Sequence, residues 1–312
     1  MSSTPRSVYL DTLANGRFPA LLETLRRRAR SCDLCPHACG VDRLAGARGR
    51  CRTGRHAVVA SASPHFGEEG PISGYAGSGT IFFAHCNLYC VFCQNDDISH
   101  GGDGEPTDAR ALADLMLRLQ QHGCHNINLV TPSHVILQLV EAVALAAADG
   151  LRVPIVYNSS GYDSVFSIQL LNEVVDIYMP DLKFLDAAAA ARWTIAPDYP
   201  ERAREAVRAM QAGVGDLVVG PDGVAVRGLL VRHLVLPGMT ADSCAVLRFL
   251  AESVSRRVYV NIMSQYRPYD QARAHPPLHR GLRTEEYLAV AACARSLGLD
   301  RAELQSRRFW DG

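Results

Sequence analysis

From residue 79 onward the chain alternates short, continuous apolar runs with longer stretches whose apolar residues recur every three or four positions. GTIFFAH (79–85) is the first run, led in by Gly74, Gly77 and Gly79. In the following TDARALADLMLRLQQHG, Leu112, Leu115, Met116 and Leu119 share one helical face, with Thr107 as the expected N-cap and Gly123 as the stop. NINLVT (126–131), VPIVYN (153–158), DIYMPD (176–181), LLVRHLVL (229–236) and VYVNIM (258–263) read as further strands, each followed by a helical pattern. Asp222-Gly223 marks a hairpin that interrupts the rhythm. Unbroken apolar strands are the kind covered on both faces. Six strand–helix units predict an α/β fold, a partial (β/α)6 TIM-type barrel over residues 79–312. An eightfold barrel typically needs ~250 residues, and no seventh or eighth unit is visible.

Residues 1–78 fall outside the rhythm and read as an N-terminal, cysteine-rich extension packed on the barrel. Composition then narrows the function. With 32 basic and 32 acidic side chains the formal net charge is zero, which argues against nucleic acid as a partner. Arg26, Arg27, Arg28 and Arg30 follow Leu21, Leu22 and Leu25 at helical spacing and read as a solvated helix face. No signal pattern opens the chain and no stretch of ~20 apolar residues follows, so a cytoplasmic protein without membrane contact is expected. In a reducing compartment, clustered members of the ten cysteines point to metal rather than disulfides.

The densest cluster is HCNLYCVFCQN (85–95), which spaces Cys86, Cys90 and Cys93 as Cys-x3-Cys-x2-Cys. Three thiolates leave one coordination position open, the arrangement of a reactive rather than a structural centre. The loop follows the first strand, at the barrel face that carries chemistry. The alternative is a three-cysteine zinc site completed by His85 or a distant histidine.

This loop after strand one of a partial barrel resembles the signature of radical S-adenosylmethionine (SAM) enzymes. GTIFFAHCNLYCVFCQN and later segments look like relatives of the pyruvate formate-lyase activating enzyme, closest to an iron–sulfur branch without an assigned substrate. The likeness runs from about residue 30 to the C-terminus. It implies a [4Fe-4S] cluster whose open iron chelates SAM, reductive cleavage to a 5′-deoxyadenosyl radical, and an electron donor such as flavodoxin or ferredoxin. The implied substrate is a glycyl-radical-type partner protein; a small molecule or peptide is the alternative. A non-catalytic zinc module is the alternative of another class.

Within that resemblance Phe92 matches a position packing by the adenine, though a core aromatic would look the same. Strand two ends in Thr131, Pro132, Ser133 and His134 where the superfamily often has Gly-Gly-Glu. Thr131, Ser133 and His134 are therefore candidates for the SAM ammonium, with Ser133 as a helix cap the plainer reading. Asn158 and Ser159, with Ser160, suit a ribose or carboxylate, with loop capping the alternative. Asp181-Leu182-Lys183 matches the Asp-x-Lys of the activating enzymes, and alternation along a strand end turns both side chains to one side. A surface ion pair is the alternative. Arg232 inside an apolar strand requires a carboxylate partner, SAM's own being one option. His233 faces the other way, toward the core, and Asn261, Ser264 and Gln265 at the end of strand six are candidates to face substrate.

Cys32, Cys35, Cys39 and Cys51 form a second set, fit for structural zinc or a second [4Fe-4S] cluster. Cys124, Cys244 and Cys293 read as isolated core thiols.

Overall fold

The computed structural model describes residues 6–305. Ten strands form one open sheet: β1 (Ala57–His65), β2 (Ser78–Phe83), β3 (Glu105–Thr107), β4 (Ile127–Val130), β5 (Ile155–Asn158), β6 (Ile177–Tyr178), β7 (Val218–Val219), β8 (Ala225–Leu234), β9 (Tyr259–Met263) and β10 (Ala302–Leu304). The order is β10-β9-β8-β6-β5-β4-β2-β1-β3, with β7 paired to β8 as the Asp222-Gly223 hairpin predicts. The six strands expected from the apolar runs, β2, β4, β5, β6, β8 and β9, are contiguous and parallel. A parallel α/β partial barrel, not closed, is the observed class. Beyond its edges lie β10, parallel to β9, and β1, antiparallel to β2.

The helices are α1 (Val8–Ala14), α2 (Phe18–Arg30), α3 (Gly70–Ser73), α4 (Ala109–Gln121), α5 (Ile136–Ala148), α6 (Val165–Leu171), α7 (Ala187–Trp193), α8 (Tyr199–Val214), α9 (Thr240–Ser253) and α10 (Thr284–Ser296). Asp108, one residue past the expected Thr107, caps α4 by accepting from the Ala111 N–H. None of the helices among the described residues is long and apolar enough to cross a membrane.

Strand alternation divides the core. Ile127, Leu129, Ile155, Tyr157, Tyr178, Leu229, Val231, Val260 and Ile262 join the main core with residues of the helices. The intervening positions face the other way. There Val156, Ile177, Met179 and Leu230 meet Ile72 of the short α3 in a separate small cluster. The same face carries polar residues in other strands: Asn128, Asn158, Arg232 and Asn261, three of them nearly inaccessible to solvent. A barrel interior of mixed character must satisfy those groups internally.

Candidate functional site

At the C-terminal ends of the parallel strands, one cavity is lined from all six strand–helix units. Cys86, Cys90 and Cys93 enter from the loop after β2, Thr131 from β4, and Asn158, Ser159 and Ser160 from β5. Asp181 and Lys183 follow β6, Arg232 belongs to β8, and Gln265 follows β9.

The cysteine loop is held in place by its neighbours. The Val91 N–H donates to the Trp193 carbonyl (3.0 Å) and the Ile195 N–H to that of Leu88 (3.2 Å), pinning the loop to the end of α7. Inside the loop Leu88 N–H points at Cys86 Sγ (3.3 Å), and Cys93 Sγ meets Ser99 Oγ (3.1 Å). His85 (φ 68°), Tyr89 (φ 50°) and Thr131 (φ 59°) are non-glycine residues in left-handed backbone. Such geometry costs on the order of 1–3 kcal/mol per residue and clusters where surroundings impose it for function. Burial raises the Cys86 and Cys90 thiols, so both are protonated near neutrality.

Asp181 lies between two cations: its Oδ2 accepts from Lys183 Nζ (2.7 Å) and its Oδ1 from Arg232 Nε (2.8 Å). All three side chains are under 20% exposed, so this is not a surface ion pair. Burial alone would raise the Asp181 carboxyl; Arg232 and then Lys183 overcome that and hold it below its ordinary value. The Lys183 N–H donates to Tyr199 Oη (2.9 Å), which lies 3.0 Å from the Ser160 carbonyl and 3.1 Å from that of Asp181. Gly161 (φ 80°) permits this approach, since a Cβ there would run into the Asp181 carbonyl oxygen.

Arg232 thus finds its carboxylate partner within the protein, and it has a second: Glu68 Oε2 lies 3.5 Å from Nη1. Glu68 also accepts from Asn128 Nδ2 (3.1 Å), and the adjacent Glu69 from Asn261 Nδ2 (2.8 Å). The two glutamates, just before α3, tie β4, β8 and β9 together from inside the barrel. Sequence reasoning missed both. The available signal was Glu68-Glu69 ahead of Gly70-Pro71, a buried-turn pair that only gains meaning opposite Asn128, Arg232 and Asn261. Glu68→Gln should therefore lower stability by about 1.5–3 kcal/mol, the worth of a charge-assisted hydrogen bond. Urea unfolding measures this, and an unchanged midpoint at unchanged slope would mean that Glu68 does not hold Arg232.

Not every expected residue reaches the cavity. His134 is buried behind it with Nε2 on the Ala84 carbonyl (2.9 Å), and burial lowers its pKa to about 3, so it stays neutral. Ser133 is buried against Tyr157 and Asp163 and does not cap α5, whose N-cap is Val135. His85 does not line the cavity either; its N–H donates to the Ile98 carbonyl (2.9 Å). Asn261 serves Glu69, Ser264 belongs to a separate groove beside α10, and His233 is buried with Nδ1 on the Leu182 carbonyl (2.7 Å). Phe92 lines the cavity and makes edge contacts with Phe184 and Trp193. Among the described residues, three buried polar atoms of the lining have no hydrogen-bond partner: Tyr89 Oη, Ser160 Oγ and Gln265 Oε1.

The second cysteine set packs beside the first. Cys32, Cys35 and Cys51 are buried and Cys39 is half-buried, with the Arg50 N–H 3.4 Å from Cys39 Sγ. Burial pushes the Cys35 thiol up to about 12 and also raises Cys51. All ten cysteines are free thiols. Cys244 and Cys293 are neighbours across α9 and α10 rather than isolated. Among the described residues no three His, Cys, Asp or Glu converge as the ligand shell of a single metal ion does. Cys32, Cys35 and Cys51 nonetheless lie near enough for their charges to act on one another.

No protein-family model matches the chain. Among curated proteins it is similar to the uncharacterized protein MJ0674 of Methanocaldococcus jannaschii, at 28% identity over 290 residues, 89% of this chain and 78% of the relative. Among solved structures it is similar to Streptococcus suis SuiB bound to S-adenosylmethionine, with TM-score 0.50 and 11% identity over 72% of this chain. A second SuiB structure, bound to the precursor peptide SuiA, superposes with TM-score 0.47 and 12% identity. The chain spans about half the length of those solved structures. At such identity the likeness to the SAM-bound structure is one of fold, the parallel α/β partial barrel.

Proposed function

We propose that this protein is a radical SAM enzyme, and the observation that carries the reading is the meeting of Cys86, Cys90 and Cys93 in one cavity with Asp181, Lys183 and Arg232. The residues fit the cofactors. Three thiols supply three ligands of a [4Fe-4S] cluster, two cations suit a carboxylate, and the unpartnered oxygens of Tyr89, Ser160 and Gln265 suit polar groups of a nucleoside. The chemistry that bound cluster and SAM supply is one-electron cleavage of the sulfur–C5′ bond, followed by hydrogen-atom abstraction from a substrate.

The chain's own groups bind, orient and exclude. Lys183 uses one donor on Asp181 and retains two for the methionine carboxylate. Asp181, fixed by both cations, holds them at a set separation instead of taking part in proton transfer. Thr131, at the end of β4, offers a hydroxyl and a carbonyl to the SAM ammonium, and Asn158 and Ser159 serve the ribose. Ser159 is oriented by its own bond to Asp163 (2.7 Å). Phe92 covers the adenine side and keeps water from it. Ser133 and His134, with no access to the cavity, act by packing behind it.

The substrate we favour is a glycyl-radical-type partner protein, on the Asp181-Leu182-Lys183 match. The second reading, a small molecule or peptide, is favoured by the extra four-cysteine module in residues 1–78, which precedes the six units at 79–312 in sequence while its β1 and α3 join their sheet and interior. Ten free thiols fit a reducing, cytoplasmic setting. Anaerobically reconstituted, reduced protein should convert SAM to methionine and 5′-deoxyadenosine. Deuterium entering 5′-deoxyadenosine from one component of a deuterated cell extract would identify the substrate. No 5′-deoxyadenosine, with zinc bound at both cysteine sets, would replace this reading by the non-catalytic zinc module.

A further inference from the structure

The two cysteine sets are far apart in sequence and share a wall in the fold. Only three residues separate Cys86 from Cys90, and the two outer ones touch the other set. Asn87 accepts at its carbonyl from His37 Nε2 (2.7 Å), and its side chain lies against the Cys35 thiol. Tyr89 lies under the Arg52 guanidinium, 5.2 Å from the ring centroid, and stacks on His100 at 5.1 Å. Arg52, adjacent to Cys51, also donates to the His100 carbonyl (3.1 Å). Arg52 (φ 57°) and Tyr89 (φ 50°) both have left-handed backbone at this contact. Asn87, beside Cys86, is thus bound to His37 between Cys35 and Cys39, and Tyr89, beside Cys90, to Arg52 beside Cys51.

A module that served only to stabilise would not need that proximity. Electron transfer does need it. The outer surface supplies a second observation. Residues 26–55 hold nine arginines against two aspartates in a chain of zero net charge. Arg26 and Arg55 pair with Glu141, and Arg28 with Asp33. Arg48, Arg50 and Arg52 are exposed on the cysteine loop itself, and exposed Arg192 flanks the Arg52–Tyr89–His100 stack.

We propose that Cys32, Cys35, Cys39 and Cys51 hold an iron–sulfur cluster that relays single electrons to the three-cysteine site across Asn87 and Tyr89, loaded by an acidic protein donor docking on the Arg48–Arg52 face. The proposal rests on the radical SAM reading and deepens it. A low-potential one-electron donor is oxidised as the relay cluster is reduced. The relay is reoxidised as it reduces the three-cysteine cluster, and no proton or bond changes partner.

The test is metal content and electron paramagnetic resonance on the full-length protein, after anaerobic reconstitution and dithionite reduction. The expected wild type carries about eight irons per chain, two four-iron clusters, with a spectrum broadened by interaction between the two spins. The Cys86→Ala/Cys90→Ala/Cys93→Ala variant should keep about four irons and show a single unbroadened signal. The wild-type spectrum decides the relay even if a variant of the four-cysteine set fails to fold. Zinc at one per chain in the triple variant, or two clusters without magnetic interaction, overturns the relay. Wild-type protein that forms no 5′-deoxyadenosine overturns the radical SAM reading instead, and a triple variant that loses no iron and still cleaves SAM overturns the placement of the reactive cluster on Cys86, Cys90 and Cys93. For docking, Arg48→Glu/Arg50→Glu should slow reduction by reduced flavodoxin roughly tenfold at low salt and leave reduction by dithionite unchanged. Equal rates with flavodoxin overturn the docking face.

Discussion

Replacing Cys86, Cys90 and Cys93 together by alanine should abolish 5′-deoxyadenosine formation while leaving a folded protein. The effect is all-or-none because, among the described residues, these three are the only cysteines that line the cavity. Folding should survive because the loop is held by main-chain bonds to Trp193 and Ile195, which the substitutions leave intact. Each change removes one sulfur, a modest loss beside the aliphatic core of β2, β4 and β5. Iron analysis, far-ultraviolet circular dichroism and product assay belong together here. Folded protein with undiminished cleavage would sink the assignment of the reactive cluster to these three cysteines.

The second large effect should come from Asp181→Asn. The carboxylate lies within 2.8 Å of two cationic nitrogens, and an asparagine there can offer its oxygen to only one of them. Its amide N–H groups then face the other, donor against donor. Breaking a buried pair from one side typically costs about 3–5 kcal/mol. Part of that loss should appear in SAM binding, since Lys183 and Arg232 no longer hold their separation. A charge-assisted hydrogen bond is worth ~1.5–3 kcal/mol, or roughly ten- to a hundredfold in affinity. Lys183→Met should weaken SAM binding similarly, and the double variant should lose less than the sum if the two act as a pair. Acid gives an independent check. Because the folded carboxyl is held below its unfolded value of about 3.9, its stabilisation is present above that pH and lost as pH falls through the folded pKa. Wild-type protein should lose this contribution below about pH 4, and Asp181→Asn should lack that part of the slope. Unchanged melting and turnover in the variant would return Asp181 to an ordinary ion pair.

The sequence by itself determined the scaffold and the place of its three-cysteine loop. Runs such as 126–131 and 258–263 are apolar at nearly every position, and only a sheet covered on both faces buries such runs, so six parallel strands were legible. Cys86, Cys90 and Cys93 were legible for the same local reason, a spacing carried entirely within eleven residues. What the tertiary structure alone decided depends on long-range partners. Residues 57–65 became an antiparallel strand on β2 only because β2 presents a free edge there. Arg232 reads identically in sequence whether its carboxylate is a ligand's or Asp181's, and the choice lies in a contact 51 residues away. Ser133 and His134 stand beside Thr131 in sequence, yet a left-handed turn at Thr131 sends them behind the cavity wall. Glu68 and Glu69 look like solvent-facing loop residues until α3 carries them into the barrel, where Asn128, Arg232 and Asn261 give them partners. Periodicity records which residues are buried; it cannot record what buries them, because a polar group's partner is set by chain reversal rather than by neighbours in sequence.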